Sequence, residues 1–286
     1  MLSMPRGTDP SSVQWAAREF AKIELAGHKY VMVLHDHQAN PHVHISVRAE
    51  SKHGRRLNPR KTDLHRWRET FAEQLRERVL AAAVDKQPLR IRGGGTKDFY
   101  GNPPVGELLE TAGHAGIVAY EPTELVVTVR AGTRLAELEA ALAEQGQMLA
   151  FEPPHFGGGE RKSQPPHFGD ATVGGCVAAG LSGPRRATAG AARDYVLGVK
   201  LLSGSGEILN FGGQVMKNVA GYDVSRLVTG AMGTLGLLLE VSLKVLPKPH
   251  AEATLRLELP QDKAIEAINR WGGQPLPLSA TCWNDG

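Results

Sequence analysis

The sequence predicts an α+β fold that binds a large phosphate-bearing cofactor, and three observations carry the expectation. Strand-like apolar runs come in turn-linked pairs, Ile117 to Gly132 and Tyr195 to Phe211, instead of a regular alternation with helices. Helical stretches fall between them, at Thr133 to Gly146 and Val173 to Gly180. Three glycine-rich segments, Arg92–Lys97, Ala171–Gly175 and Gly230–Gly236, each adjoin a strand-like run. Glycine there opens backbone angles closed to other residues and lets amides approach a ligand with no Cβ in the way.

Length and composition set bounds. The chain has 286 residues, 41% of them hydrophobic, enough for two domains or one large one with a sizeable core. No apolar run approaches the roughly 20 residues that cross a bilayer, and the first residues lack the apolar centre of a signal peptide. A cytoplasmic protein with no transmembrane segment is expected. Cys176 and Cys282 are the only cysteines and form no CxxC pair, which argues against disulfides and against cysteine-held zinc or iron–sulfur centres. The net charge of +3 hides a division: residues 1–78 hold 14 Lys+Arg against 9 Asp+Glu, seven of the 11 histidines and only three of the 33 glycines. That contrast places a boundary near Arg78.

In the first segment, Ser11 or Ser12 is placed to cap a helix running to about Ala26. Strands are then expected at Lys29–His35 and His42–Arg48. Side chains two apart on a strand share a face, so His42 and His44 point the same way, and His35 on a paired strand completes a three-nitrogen set suited to a divalent metal. Thr62 should cap an amphipathic helix that carries Leu64, Trp67, Phe71 and Leu75 at helical spacing. Good helix formers continue to Asp85, so the boundary near Arg78 is expected inside one long helix, without a linker.

The second segment opens with a short strand, Pro88–Arg92, and the first glycine loop. A Rossmann fingerprint would need GxGxxG at the start of a helix, and Asp98–Pro104 is not helix-forming; a Walker loop would need GxxxxGK[ST], which does not occur. A strand-and-loop cradle facing a pyrophosphate remains. Thr133 is placed to cap the helix that closes at Gly146, and the small-residue helix from Val173 is narrow enough for a flat cofactor to lie against it. Ser203–Gly206 should turn a hairpin, and Gly236 to Leu246 should form a long strand.

Two resemblances follow from specific strings. Tyr30–Glu50 with Gly54–Lys61 resembles the histidine motif of plasmid mobilisation relaxases, which implies His35, His42 and His44 as metal ligands near DNA. The nucleophilic tyrosine of those proteins lies well upstream of the motif, and Tyr30 matches no such position, so nicking is not the expectation; the segment reads as a fragment kept by fusion, in preference to a basic surface with phosphate affinity. Tyr120–Leu125, Phe151–His155, Leu181–Arg186 and Val215–Leu227 resemble the FAD-binding subunits of bacterial glycolate oxidases, in the PCMH-type (vanillyl-alcohol-oxidase-like) flavoprotein superfamily.

That second resemblance implies a PCMH-type fold of two α/β subdomains over residues 79–250, preceded by the relaxase-like fragment 1–78 and followed by the start of a truncated cap domain at 251–286, with a strand from Ala253 and a helix from Gln261. It implies non-covalent FAD, with Arg92, Gly93, Gly94, Gly95, Thr96 and Lys97 at the pyrophosphate. Thr172, Gly174 and Gly175 would line the flavin; Gly190, Arg193 and Asp194 would meet ribityl or phosphate groups; Gly233, Thr234, Leu235, Gly236 and Leu237 would offer backbone bonds. It also implies a sister flavin subunit and an iron–sulfur subunit as partners, a small 2-hydroxy acid as substrate of the complex, and a cytoplasmic location at the inner membrane face through those partners. Arg185, Arg186, His155 and His167 are available as carboxylate or proton partners, and none is assigned as catalytic. Two alternatives stay open: a metal-dependent DNA-binding or DNA-nicking remnant, and a non-functional fusion of two fragments. The pentapeptide Pro-Pro-His-Phe-Gly occurs twice, at 153–157 and 165–169, just before the second glycine segment.

Overall fold

In the computed structural model the described residues are 2–3, 17–18, 21, 25, 28–35, 42–48, 50, 61–156, 171–213 and 222–285. Strands β1 (Leu2–Ser3), β2 (Tyr30–His35) and β3 (His42–Val47) form an antiparallel sheet in the order β1-β3-β2. Met32, Leu34 and Ile45 pack on buried Ala17 on one face of it. The register sets His35 opposite His42 and His44 opposite Val33, so the three histidine positions fall on the other face, by the alternation of a strand. The side chains of these three histidines lie outside the described residues, as does most of the expected helix from Ser11.

Helix α1 (Lys61–Asp85) then runs unbroken across the compositional boundary. Its Leu75 and Val79 are buried in a cluster with Leu109, Leu202, Leu237 and Leu239. Arg76 Nε donates to the Gly206 carbonyl at 2.7 Å, and Phe71 stacks on His114 with ring centroids 6.2 Å apart. The last turns of α1 are therefore part of the second segment's core.

After α1, β4 (Leu89–Arg92) pairs in parallel with β5 (Glu107–Glu110). Parallel neighbours cannot be joined by a tight turn, so the chain makes a wide excursion over residues 93–106. That excursion holds the first glycine segment. β6 (Ile117–Glu121) and β7 (Val126–Arg130) follow, then α2 (Leu135–Glu144) and β8 (Gln147–Met148). Thr133 does not cap α2: its hydroxyl donates to the Arg130 carbonyl at 2.7 Å and accepts from the Gly116 amide at 2.9 Å, which ties β6 to β7, and Arg134 precedes the helix instead.

Beyond Thr172 come α3 (Val173–Ala179), α4 (Arg186–Ala189), β9 (Val196–Leu202), β10 (Ile208–Gly212), α5 (Val224–Val228), β11 (Leu237–Lys244), β12 (Leu246–Pro247) and α6 (Gln261–Gly272). The main sheet is antiparallel in the order β10-β9-β11-β7-β6. Its centre, β11, is buried on both faces, which accounts for its nearly continuous apolar sequence. Leu238, Val241 and Leu243 face the larger core with α2 and α3, while Leu237 and Leu239 face α1.

The strand expected from Ala253 is absent: residues 251–260 belong to no regular element, because among the described residues no neighbouring strand pairs with them. The helix expected from Gln261 is α6. No helix of the described residues is long and apolar enough to cross a membrane.

Candidate functional site

The excursion between β4 and β5 opens on a cleft of about 570 Å³. Its walls are β4 with residues 93–98, 100–102, 104 and 105 of that excursion, the start and inner face of α3, and residues 231–238, the turn into β11 and the first residues of that strand. All three glycine segments thus meet at one place, although the first begins at Arg92 and the last ends at Gly236.

The first wall is a ring of amide donors. Among the described residues, none of the five successive N–H groups from Gly93 to Lys97 has a hydrogen-bond partner in the protein, whereas Asp98 and Tyr100 donate back to the carbonyls of Gly95 and Lys97. Consecutive unpaired amides in a turn form a concavity suited to an anion. Gly95 takes φ +72°, and a Cβ there would lie 2.4 Å from the Arg92 guanidinium, so the loop folds over that side chain only because residue 95 is glycine. Arg92 pairs with Asp98 at 3.0 Å, yet its Nε is buried with no partner. A buried guanidinium N–H without an acceptor, on a residue that lines a cleft, fits a site that takes an anionic ligand.

Lys97 adds a second cation. Burial holds its ammonium below the usual lysine range, and the Nζ lies 5.7 Å from the centre of the Phe156 ring. Phe156 in turn meets Phe99 edge-on at 5.2 Å. The first copy of the repeated pentapeptide therefore sits beside Lys97, with His155 Nε2 held 3.0 Å from Glu139. The second copy lies outside the described residues.

The second wall works by closeness, not by donation. Thr172 caps α3, its Oγ1 accepting from the Gly175 amide at 3.2 Å. The amides of Val173 and Gly174 are already given to the carbonyls of Thr133 and Ala131, at 2.8 and 2.7 Å. What α3 presents to the cleft is a flat surface of Gly174, Gly175, Ala178 and Ala179. Buried Cys176 on the same helix has its thiol pushed up to about 12 by burial, so it is protonated at neutral pH and no nucleophile. In the third wall the Thr234 and Gly236 amides bond within the turn, and those of Gly233 and Leu235 are unpaired among the described residues.

Of the residues read from the sequence, Arg92 to Lys97, Thr172, Gly174, Gly175 and Gly233 to Leu237 all line this cleft. Gly190, Arg193 and Asp194 do not; they precede β9, where Asp194 Oδ2 accepts from the Ala191 amide at 2.9 Å. Arg185 is engaged by two carboxylates, Glu152 at 2.8 Å and Glu252, and hydrogen bonding to Glu152 chiefly raises its pKa. Sequence reading passed over Asp98, Ala131, Ala178 and Met232, which also line the cleft. The small-residue spacing of α3 was the signal for Ala178; nothing local marks Ala131, which arrives from β7 by tertiary packing. Among the described residues no group of three or more His, Cys, Asp or Glu gathers as a metal site.

The unpaired amides, the orphaned Arg92 Nε, Lys97 and the flat face of α3 fit a dinucleotide whose pyrophosphate lies in the loop and whose aromatic ring lies on the helix. Comparison with known proteins agrees. Residues 70–212 match the FAD binding domain family, and residues 1–80 match the MobA/VirD2-like relaxase nuclease domain, so the two spans overlap inside α1. The glycolate oxidase subunit GlcE of Escherichia coli (strain K12) is 49% identical over 215 residues, covering 75% of this chain and 58% of its own. The glycolate oxidase subunit GlcD of Bacillus subtilis (strain 168) is 33% identical over 170 residues, 59% of this chain and 34% of its own. A D-lactate dehydrogenase of Archaeoglobus fulgidus is 28% identical over 204 residues, 70% of this chain and 43% of its own. The chain spans between about a third and three fifths of the length of these relatives.

Proposed function

Since the chain belongs to the FAD binding domain family, we propose that it is the FAD-binding subunit of a glycolate-oxidase-type assembly that oxidises a small 2-hydroxy acid. The observation that carries this reading is the convergence of the three glycine segments on one cleft with five unpaired amides and an orphaned guanidinium N–H. The family and the glycolate oxidase relatives supply the rest.

In this reading the amides of Gly93 to Lys97 and the Arg92 guanidinium grip the pyrophosphate. Lys97, whose ammonium burial holds below the usual lysine range, places a positive charge beside the phosphate oxygens. Gly174, Gly175 and Ala178 give a ring system a flat seat, and the unpaired amides of Gly233 and Leu235 donate to it from the opposite turn. Bound FAD supplies the hydride and electron chemistry, and the protein supplies grip, orientation and exclusion of water. The ribityl or phosphate contacts implied for Gly190, Arg193 and Asp194 would need the ligand to reach beyond the cleft.

No base for the substrate hydroxyl is assigned in this chain. His155 is held by Glu139 and Arg185 by Glu152 and Glu252, so neither is positioned to take a substrate. Substrate turnover is accordingly placed with partners: a sister flavin subunit, and an iron–sulfur subunit that passes electrons on at the inner face of the membrane. The flavin unit begins within α1 and extends to about residue 250, with residues 1–78 a fused relaxase-like fragment. The test is purification of the full chain followed by a flavin spectrum and FAD titration. A yellow protein that reconstitutes at one FAD per chain supports the reading, and folded protein that takes up no flavin overturns it.

A further inference from the structure

Residues 151–156 run from β8 toward the cleft without lining it, and their backbone is sharply bent. Phe151 is buried against Tyr195 with ring centroids 5.4 Å apart, and His155 is held by Glu139 of α2. Glu152 and Phe156 take φ +48° and +46°, two of the five non-glycine residues in the left-handed region among the described residues. For a side chain as bulky as phenylalanine that conformation costs free energy, and it persists only where the surroundings require it. The bend brings Phe156 onto the first glycine loop. Its ring centre lies 5.7 Å from Lys97 Nζ, and the ring meets Phe99 edge-on at 5.2 Å. One loop thus grips one ring through two residues, Lys97 and Phe99.

Lys97 has little else to hold it. Among the described residues its ammonium forms no ion pair, because the nearby carboxylates are taken: Asp98 by Arg92 and Glu139 by His155. Cys176 of α3 lies near enough to act on Lys97 electrostatically, but its thiol is protonated at neutral pH and carries no charge. A carboxylate partner would hold the ammonium more firmly, yet it would also repel the phosphate that the ammonium is to meet. An aromatic face attracts a cation through its quadrupole and has no net charge. On the reading that this cleft takes FAD, we propose that Phe156 is a positioning residue: its ring, braced by Phe99, holds the Lys97 ammonium at the pyrophosphate loop and leaves its charge free for the cofactor. This role accounts for the left-handed backbone at residue 156.

The test reads Lys97 itself in the full-length, FAD-free protein. Its rate of reductive methylation across pH, resolved by mass spectrometry, gives the midpoint of its titration. Phe156→Leu keeps most of the bulk and loses the π face, so it should lower that midpoint by about half a unit. Phe156→Tyr keeps the face and should titrate like the native protein. In FAD titrations the leucine variant should bind about threefold to tenfold more weakly and the tyrosine variant like the native chain. The leucine effect should vanish in a Lys97→Met background. A role in folding alone would leave the Lys97 midpoint unmoved, or weaken binding in the methionine background as well, and either result would overturn the proposal. Should the native chain take up no FAD, the cofactor reading falls, while the midpoint in Phe156→Leu still upholds or overturns the hold of Phe156 on Lys97.

Discussion

Gly93 in the loop after β4 and Thr172 at the start of α3 are in such close contact that a Cβ on Gly93 would lie 2.3 Å from Thr172 Oγ1. The contact locks the amide-lined wall of the cleft to the flat one. That same hydroxyl caps α3 through the Gly175 amide, so it cannot move aside without giving up the cap. Gly93→Ala is expected to cost about 1–3 kcal/mol of stability, as overpacking does, and to weaken FAD binding about tenfold or more by parting the walls. Thermal denaturation and FAD titration check it, and a variant that bound FAD normally would separate Gly93 from the site.

Lys97 carries a trade between stability and binding. Burial lowers its folded pKa, so between that value and the unfolded one the unfolded chain binds the extra proton. Stability of the FAD-free protein therefore rises with pH through that window, and below it the buried cation is a cost. Lys97→Met should raise the melting temperature of FAD-free protein at neutral pH and weaken FAD binding about tenfold, through loss of a charge-assisted contact. The native affinity should also fall as pH climbs through the lowered pKa, earlier than an ordinary lysine would allow. In the methionine variant that fall should vanish.

Arg92 is expected to resist conservative replacement. Its guanidinium pairs with Asp98, fills the loop under Gly95 and holds a buried Nε with no partner in the protein. Lysine keeps the charge and loses the planar fork, so Arg92→Lys should still weaken FAD binding about tenfold. Calorimetric titration measures this, and native affinity in the lysine variant would mean that charge alone matters.

Leu75 links the first segment's helix to the floor of the cleft. It is buried against Leu237, which lines the cleft at the start of β11. Leu75→Ala should cost about 2–5 kcal/mol and make retention of FAD heat-labile. Chemical denaturation with flavin release as a second probe tests it. Loss of stability without any change in flavin release would show that the helix supports the fold and not the site.

Much of this was legible in the chain. The turn Ser203–Gly206 between two apolar runs marked the β9–β10 hairpin, and the loop from Gly93 announced itself by glycine followed by residues that cannot form a helix. Local rules failed where a distant partner decided the outcome. Thr133 had the residue type of a cap, but β6 claimed its hydroxyl. Residues 253–259 had the pattern of a strand, but a strand exists only where a neighbour takes its hydrogen bonds. In α3 the sequence suggested amides open to a ligand; the structure gives the first of them to Thr133 and Ala131, so glycine serves there for flatness.

The central claim is that the unpaired amides of Gly93 to Lys97 grip the phosphates of FAD. Isothermal titration of the full-length, flavin-free protein tests it most directly, with FAD and riboflavin compared as ligands. The account predicts one FAD per chain, riboflavin weaker by a hundredfold or more for want of phosphates, about 3 kcal/mol or more in binding free energy, and most of that difference erased in Gly93→Ala. Equal affinity for the two ligands, or no heat with either, would contradict it.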